Sequence, residues 1–238
     1  MARERQIILD TETTGFYAEQ GDRMLEFAGI EMKNRQLTRQ ALHLYIHPER
    51  DVPAEAAAVH GLTLAILEEK NAPKFAEVGQ QIADFLRDAE LIIHNAKFDV
   101  GFLNMEFRRM GLPSVQELNC EITDTLAMAR QKFPGQKASL DALCTRFEID
   151  RSKRVFHGAL IDCELLAEVY LAMTRQQGSF VETFESINET VVTQQTARPQ
   201  FLNVLAASAE ELAAHEQYLD GLGEVCVWRK SGVEGAQA

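Results

Sequence analysis

The sequence predicts a mixed α/β fold, a five-stranded sheet with flanking helices that runs on into a C-terminal tail, and three observations predict it. Short apolar, β-branched stretches recur at residues 6–9, 24–32, 37–46, 90–94 and 120–124, patterned as strands. The first three are joined by brief links, which favours antiparallel neighbours. From residue 73 onward strands alternate with stretches of helical period, which implies crossover connections and parallel pairing.

Residues 6–15, Gln-Ile-Ile-Leu-Asp-Thr-Glu-Thr-Thr-Gly, organise the rest: an apolar strand suited to a sheet centre that ends in carboxylates. The next two strands meet at the polar turn Lys33-Asn34-Arg35-Gln36, and in the second of them Leu42, Leu44 and Ile46 fall on one face. Residues 47–61, with Pro48 and Pro53, read as a loop with at most one turn of helix. Over 73–87 the period changes, and Phe75, Val78, Ile82, Phe85 and Leu86 recur at helical spacing. Leu91-Ile92-Ile93 is a short buried strand. A helix follows at 98–110, stopped by Gly111-Leu112-Pro113. After the fifth strand, helices are expected at 126–132, 140–147 and 158–175.

Beyond Arg175 the composition shifts. Residues 176–238 carry 3 Lys+Arg against 9 Asp+Glu, half of the net charge of −12 in the shorter part of the chain. Residues 176–200 are polar and weakly patterned, as in a flexible linker. Residues 206–221 have helical propensity, and Glu224-Val225-Cys226-Val227-Trp228-Arg229 is a strand-like piece with the only tryptophan. So short a segment cannot build its own core, so it reads as a docking piece for a partner. The expected organisation is a domain at 1–175, a linker at 176–200 and a binding segment at 201–238.

Composition excludes several classes. A net charge of −12 argues against a protein that coats nucleic acid with a broad basic surface. No apolar run approaches the ~20 residues of a membrane span, and the N-terminus leads into the first strand without a signal-peptide core, so a cytoplasmic location is expected. Cys120, Cys144, Cys163 and Cys226 form no Cys-x-x-Cys pair, which suggests inert thiols rather than a zinc knuckle or disulfide framework.

The chemistry resides in carboxylates. Strand side chains alternate with a rise of roughly 3.3 Å per residue, so Asp10 and Glu12 point the same way with Cα atoms ~6.6 Å apart. Acids held so close repel unless a cation lies between them, and hard cations such as Mg²⁺ or Mn²⁺ take oxygen ligands. Alone, the pair reads more readily as a turn cap at Asp10 beside a solvated Glu12. His94-Asn95-Ala96-Lys97-Phe98-Asp99 leaves a buried strand and enters a helix, at the strand end where α/β sheets bind ligands. Asp99 could also be a helix N-terminal acid. In His157-Gly158-Ala159-Leu160-Ile161-Asp162, Asp162 stands beside the apolar stripe of Leu166, Val169 and Met173, where an unpaired carboxylate is costly. His157, just before that helix, suits a general base.

Taken together, Asp10-x-Glu12, Asn95-x-x-Phe98-Asp99 and His157-x-x-x-x-Asp162 resemble the three motifs of the DEDDh 3′→5′ exonucleases, a family of ribonuclease-H-like fold, across residues 5–175. Val59-His60-Gly61, Phe133-Pro134-Gly135, Ser139-Leu140-Asp141-Ala142-Leu143-Cys144 and the tail motif Glu210-Glu211-Leu212-Ala213-Ala214-His215-Glu216 look like the branch that proofreads for bacterial replicative polymerases. The resemblance implies that Asp10, Glu12, Asp99 and Asp162 hold two divalent cations, Mg²⁺ or Mn²⁺, with His157 as base. It implies that Glu12, Thr13, Glu55, His60 and Asp162 contact the terminal nucleotide; His94 matches a family histidine of less certain role. The substrate implied is a single-stranded or frayed DNA 3′ terminus, released as nucleoside 5′-monophosphates. The partners implied are a polymerase alpha subunit through 201–238 and a small theta subunit. A sliding-clamp motif at 177–182 departs from the pattern, because Glu182 stands where a second bulky apolar residue is expected. The competing expectation is a stand-alone RNA exonuclease, oligoribonuclease-like or ribonuclease-T-like, which would have little use for residues 176–238. A non-catalytic scaffold would have lost one of the acids or the histidine, and all are present.

Overall fold

The computed structural model describes residues 4–152, 154, 156–175 and 207–222. The expected linker at 176–200, the clamp-like residues 177–182 and the strand-like piece 224–229 lie outside them. Within Met1–Gln177, one of two compact units, five strands form a single sheet: β1 (Arg5–Thr13), β2 (Met24–Lys33), β3 (Gln36–Tyr45), β4 (Glu90–Ile93) and β5 (Glu121–Asp124). The order is β3-β2-β1-β4-β5. β1 pairs antiparallel with β2 and β2 with β3, while β4 lies parallel to both β1 and β5. Both pairing expectations hold, and β1 sits at the centre.

The helices are α1 (Ala54–His60), α2 (Leu64–Glu69), α3 (Phe75–Leu86), α4 (Ala96–Met110), α5 (Thr125–Lys132), α6 (Leu140–Arg146) and α7 (Ala159–Met173). The loop expected at 47–61 is corrected here. Pro53 starts α1 with φ −56°, an alanine run propagates it and Gly61 ends it in the left-handed region at φ 72°. Thr63 then caps α2 by accepting a hydrogen bond from the Ile66 amide.

Alternation along β1 divides the core. Ile7 and Leu9 pack with Phe27, Leu91 and Ile93 against α3 and α4, through Phe75, Ile82, Phe102 and Phe107. Ile8 points the other way, with Ala28, Ile30 and Ile92 against Ala159, Cys163, Leu166 and Tyr170 of α7. Ile7, Ile8 and Leu9 are fully buried, roughly 1.5–3 kcal/mol apiece relative to exposure. The apolar half of β1 thereby anchors its acidic half. Val169 and Met173, expected on the Asp162 face, pack instead with Leu143 and Cys144 of α6. Only Leu166 shares the sheet-facing side.

The second unit, Gly178–Ala238, contributes the helix Ala209–Gly221 among the described residues. A capping box, in which Ser208 and Glu211 bond each other's amides, starts it, and Leu212 and Tyr218 are exposed. Among the described residues no helix is long and apolar enough to cross a membrane.

Candidate active site

The site lies at the C-terminal end of β1, where helices arrive from both faces of the sheet. Asp10 and Glu12 continue the side of the strand that carries Ile8, facing α7, with Asp10 opposite Ala28 and Glu12 opposite Glu26 on β2. The pairing shifts at a bulge between Glu12 and Thr13, which turns the chain out of the sheet just past the second acid. In the loop that follows, a Cβ at Gly15 would overlap the Asp22 carboxylate, which the Tyr17 amide and Arg50 hold in place, so a larger residue there would displace it. Arg23 pins that return to α4, donating from Nε and Nη2 to the buried Glu106 at 2.7 and 3.1 Å.

Asp99 comes from the opposite face. β4 ends at Ile93, and Asn95 takes the left-handed conformation at φ 67°, which turns the chain sharply into α4 and sets Asp99 in its first turn. The Thr11 hydroxyl, on the α4 side of β1, donates to Asp99 Oδ1 at 2.7 Å. Asp99 is only 2% exposed. His94, just before the turn, is held by Thr125 at 3.0 Å, and burial pushes its imidazole below the ordinary range. It serves the junction of β4 and α5.

Asp162 and His157 come with α7. Glu26, buried on β2, accepts a hydrogen bond from the Ala159 amide at 3.2 Å and pairs with His43 at 2.6 Å, fixing the start of the helix. Asp162 then falls in its first turn, and the His157 amide donates to the Val59 carbonyl at 3.1 Å, tying this loop to α1. His157 stays half exposed at the rim, with Nδ1 3.5 Å from Asp162 Oδ2. Ligand atoms of Glu12, His157 and Asp162 all lie within 4.8 Å of one another.

The electrostatics of this cluster are unfavourable as they stand. Burial, then the charges of Asp99, Asp162, Glu12 and Glu26, pushes Asp10 well above the carboxylate range. Burial first, and then Asp162, Glu26 and Asp99, raises Glu12 to about 8. Burial outweighs the Thr11 hydrogen bond and raises Asp99 to about 7. Asp162 is also raised, by burial, although Arg154 opposes it. Arg154 is itself 8% exposed along its side chain: Nη2 donates to Asp162 Oδ2 at 2.7 Å, and Nη1 contacts Asp141 at 2.7 Å. Its Nε lies 2.6 Å from Asp162 Oδ1 but off the hydrogen-bond axis, so both atoms are buried without a hydrogen bond. Nη2 also donates to His157 Nδ1 at 2.7 Å, which places the proton of the neutral ring on Nε2.

Beside the acids opens a cavity of about 630 Å³ lined by Glu12, Thr13, Glu55, Val59, His60 and Phe98. His60 Nδ1 accepts from the Leu62 amide, so Nε2 carries the proton of the neutral ring. That buried Nε2 makes no hydrogen bond of normal geometry, and burial pushes the imidazole below the ordinary range although the nearby Thr13 carbonyl opposes the shift. All eight residues expected in the site therefore converge on one end of the sheet. Glu26 and Arg154 were not anticipated. An acid within the apolar run 24–32 was a legible signal for Glu26; nothing in the spacing marks Arg154.

Fold and acids together define a sheet-based nuclease, and the exonuclease family pattern matches residues 7–170. Curated relatives include the DNA polymerase III subunit epsilon of Escherichia coli strain K12, 45% identical over 94% of this chain and 97% of that one. That of Pasteurella multocida strain Pm70 is 46% identical over 95% and 94%. Among solved structures, Exonuclease X in complex with 5′ overhanging duplex DNA superposes with TM-score 0.54 and 25% identity, over 76% of this chain and 98% of that one. The chain belongs to the exonuclease family and, within it, to the DNA polymerase III epsilon subunits. It is accordingly a 3′→5′ exonuclease acting on DNA in replication proofreading, as part of a DNA polymerase III complex.

Proposed function

We propose that Asp10, Glu12, Asp99 and Asp162 form the centre at which this exonuclease holds two divalent cations, Mg²⁺ or Mn²⁺, with His157 as its general base. The observation that carries the reading is the crowding of these acids, with pKa values driven up by burial and by one another, together with the convergence of ligand atoms of Glu12, His157 and Asp162 within 4.8 Å. The donor set fits, since clustered hard oxygens with an imidazole at the rim suit such cations. Cations bound there supply charge to the attacking and leaving oxygens of the phosphodiester.

The chain's own side chains account for the rest. Four ionised acids bring up to −4 of charge, enough to balance two divalent cations. Once Nδ1 is released by Arg154, half-exposed His157 can take a proton from an incoming water and pass it to solvent. The adjoining cavity suits a terminal nucleoside: Val59 and Phe98 offer apolar walls, and His60 Nε2, Thr13 and Glu55 offer polar atoms. Hydrolysis there releases nucleoside 5′-monophosphates. Frayed or mismatched ends enter more readily because less pairing is lost.

Residues 1–175 carry this chemistry, 176–200 tether it, and 201–238 bind the polymerase alpha subunit. A theta subunit is a further partner, the 177–182 segment a weaker clamp contact, and the location cytoplasmic. Digestion of 3′-mismatched DNA and of RNA with Mg²⁺, with and without chelator, tests the reading. Chelator-sensitive release of deoxynucleoside 5′-monophosphates, faster from the mismatch than from RNA, is expected. Preference for RNA, or activity that survives chelation, would overturn it.

A further inference from the structure

We propose that the groove along α4 beside the nucleotide cavity carries the single strand 5′ of the terminal nucleotide, with Lys97 and Arg108 gripping its phosphates. This rests on the nuclease reading of the adjoining site and extends it outward. The groove is a cavity of about 700 Å³ running along α4 past Lys97, Gly101, Asn104 and Arg108. It shares Phe16, Tyr17 and Phe98 with the nucleotide cavity, so one leads into the other.

The boundary between them is aromatic. Phe16 and Phe98 meet edge to face with ring centroids 6.4 Å apart, and Phe16 and Tyr17 are 78% and 61% exposed. Leaving two large rings in water beside a cleft is costly unless something stacks on them, and bases stack on aromatic faces whatever their sequence. Charge points the same way. In a chain of net charge −12, most cations near the site are committed: Arg23 to Glu106, Arg50 to Asp22, Arg109 to Glu106 and Arg154 to Asp162. Lys97 and Arg108 are exposed, three turns apart on one side of α4, and neither takes part in an ion pair among the described residues. Gly101 lies between them with open space where a Cβ would stand, leaving room for a backbone to pass. Glu19 also lines the groove, so phosphates are expected along the α4 side and bases toward Phe16 and Tyr17. A polyanion with stackable faces fits this combination better than an apolar or acidic peptide.

The test compares two substrates in the full-length chain with Mn²⁺. The p-nitrophenyl ester of thymidine 5′-monophosphate fills only the nucleotide cavity, whereas an oligothymidylate of six residues reaches the groove. In the double variant Lys97→Gln, Arg108→Gln the KM for the oligomer should rise about tenfold or more, while kcat/KM for the ester changes less than twofold. The salt dependence of oligomer binding should also flatten, its log–log slope falling by about 1.4 for two lost phosphate contacts on a single strand. Proportional losses on ester and oligomer would show a structural role and overturn the proposal. So would an unchanged oligomer KM and salt slope, which would leave the groove to a protein partner. A wild-type chain that hydrolyses neither substrate would fail earlier, at the nuclease reading itself.

Discussion

Asp99 and Asp162 reach the same end of β1 from opposite faces of the sheet, and they are held in different ways. Asp99 is built in: a hydroxyl of the central strand bonds it, and a left-handed turn at Asn95 aims it. Asp162 is held through charge. Its partner Arg154 sits on the connection between α6 and α7, and the same guanidinium occupies His157 Nδ1. The α4 side is therefore fixed by the fold, whereas the α7 side already contains a cation, the Arg154 guanidinium. On the metal-site reading proposed above, a metal ion and a guanidinium would compete for Asp162, and the imidazole would be freed by the outcome.

Substitutions at the acids should have the largest effect. Asp10→Ala and Asp162→Ala should abolish turnover and weaken Mn²⁺ binding measured by calorimetry; activity retained in either variant contradicts the assignment. Next comes His157→Ala, which should lower kcat by ~10²–10⁴-fold while Mn²⁺ and DNA still bind. Equal loss of binding would make His157 a structural residue. Arg154→Gln tests the competition directly. Mn²⁺ affinity should rise by about tenfold, equivalent to ~1.4 kcal/mol, and the metal-free protein should melt earlier because Asp162 is left buried and unpaired. An unchanged affinity would mean that the guanidinium stays in place beside the metal.

Proton linkage gives a broader version of the same test. Glu12 moves from an ordinary 4.5 to about 8 and Asp99 from 3.8 to about 7. Through these acids the folded state binds more protons than the unfolded one, which lowers metal-free stability as pH rises from about 4.5 to 8, while the lowered imidazoles of His60 and His94 oppose the fall only below about 6.5. Asp141 and Glu31, whose carboxyls are lowered, lose their contribution only at more acid pH and do not mask it. Thermal unfolding in chelator at pH 5 and pH 8 should show the drop, and Mn²⁺ at pH 8 should reverse it. A flat profile would mean that the acids do not crowd one another. The smallest effect is Thr11→Val, which removes the donor to Asp99 and should cost about 1 kcal/mol of stability.

The same division governs what could be read from the sequence. Asp10 and Glu12 were legible because strand alternation fixes where they point, and Asp99 because it follows a strand end. The antiparallel pairing of the first three strands and the parallel pairing after them followed from the connections between them. The helix Ala54–His60 was missed, although Pro53 and Gly61 bracket it as start and stop signals, because its alanines give no amphipathic period. Arg154 was illegible for another reason. Its partner Asp141 belongs to α6 and Asp162 to α7, and only packing of α6 on α7 brings the two acids within reach of one side chain.

The most direct measurement of the central claim is a calorimetric Mn²⁺ titration of the wild-type chain beside its Asp10→Asn and Asp162→Asn variants. Two ions per wild-type chain, with binding lost or reduced to one in each variant, is the predicted result. Wild-type stoichiometry and affinity kept in both variants would contradict it, because the acids gathered at the end of β1 would then not be where the metal binds.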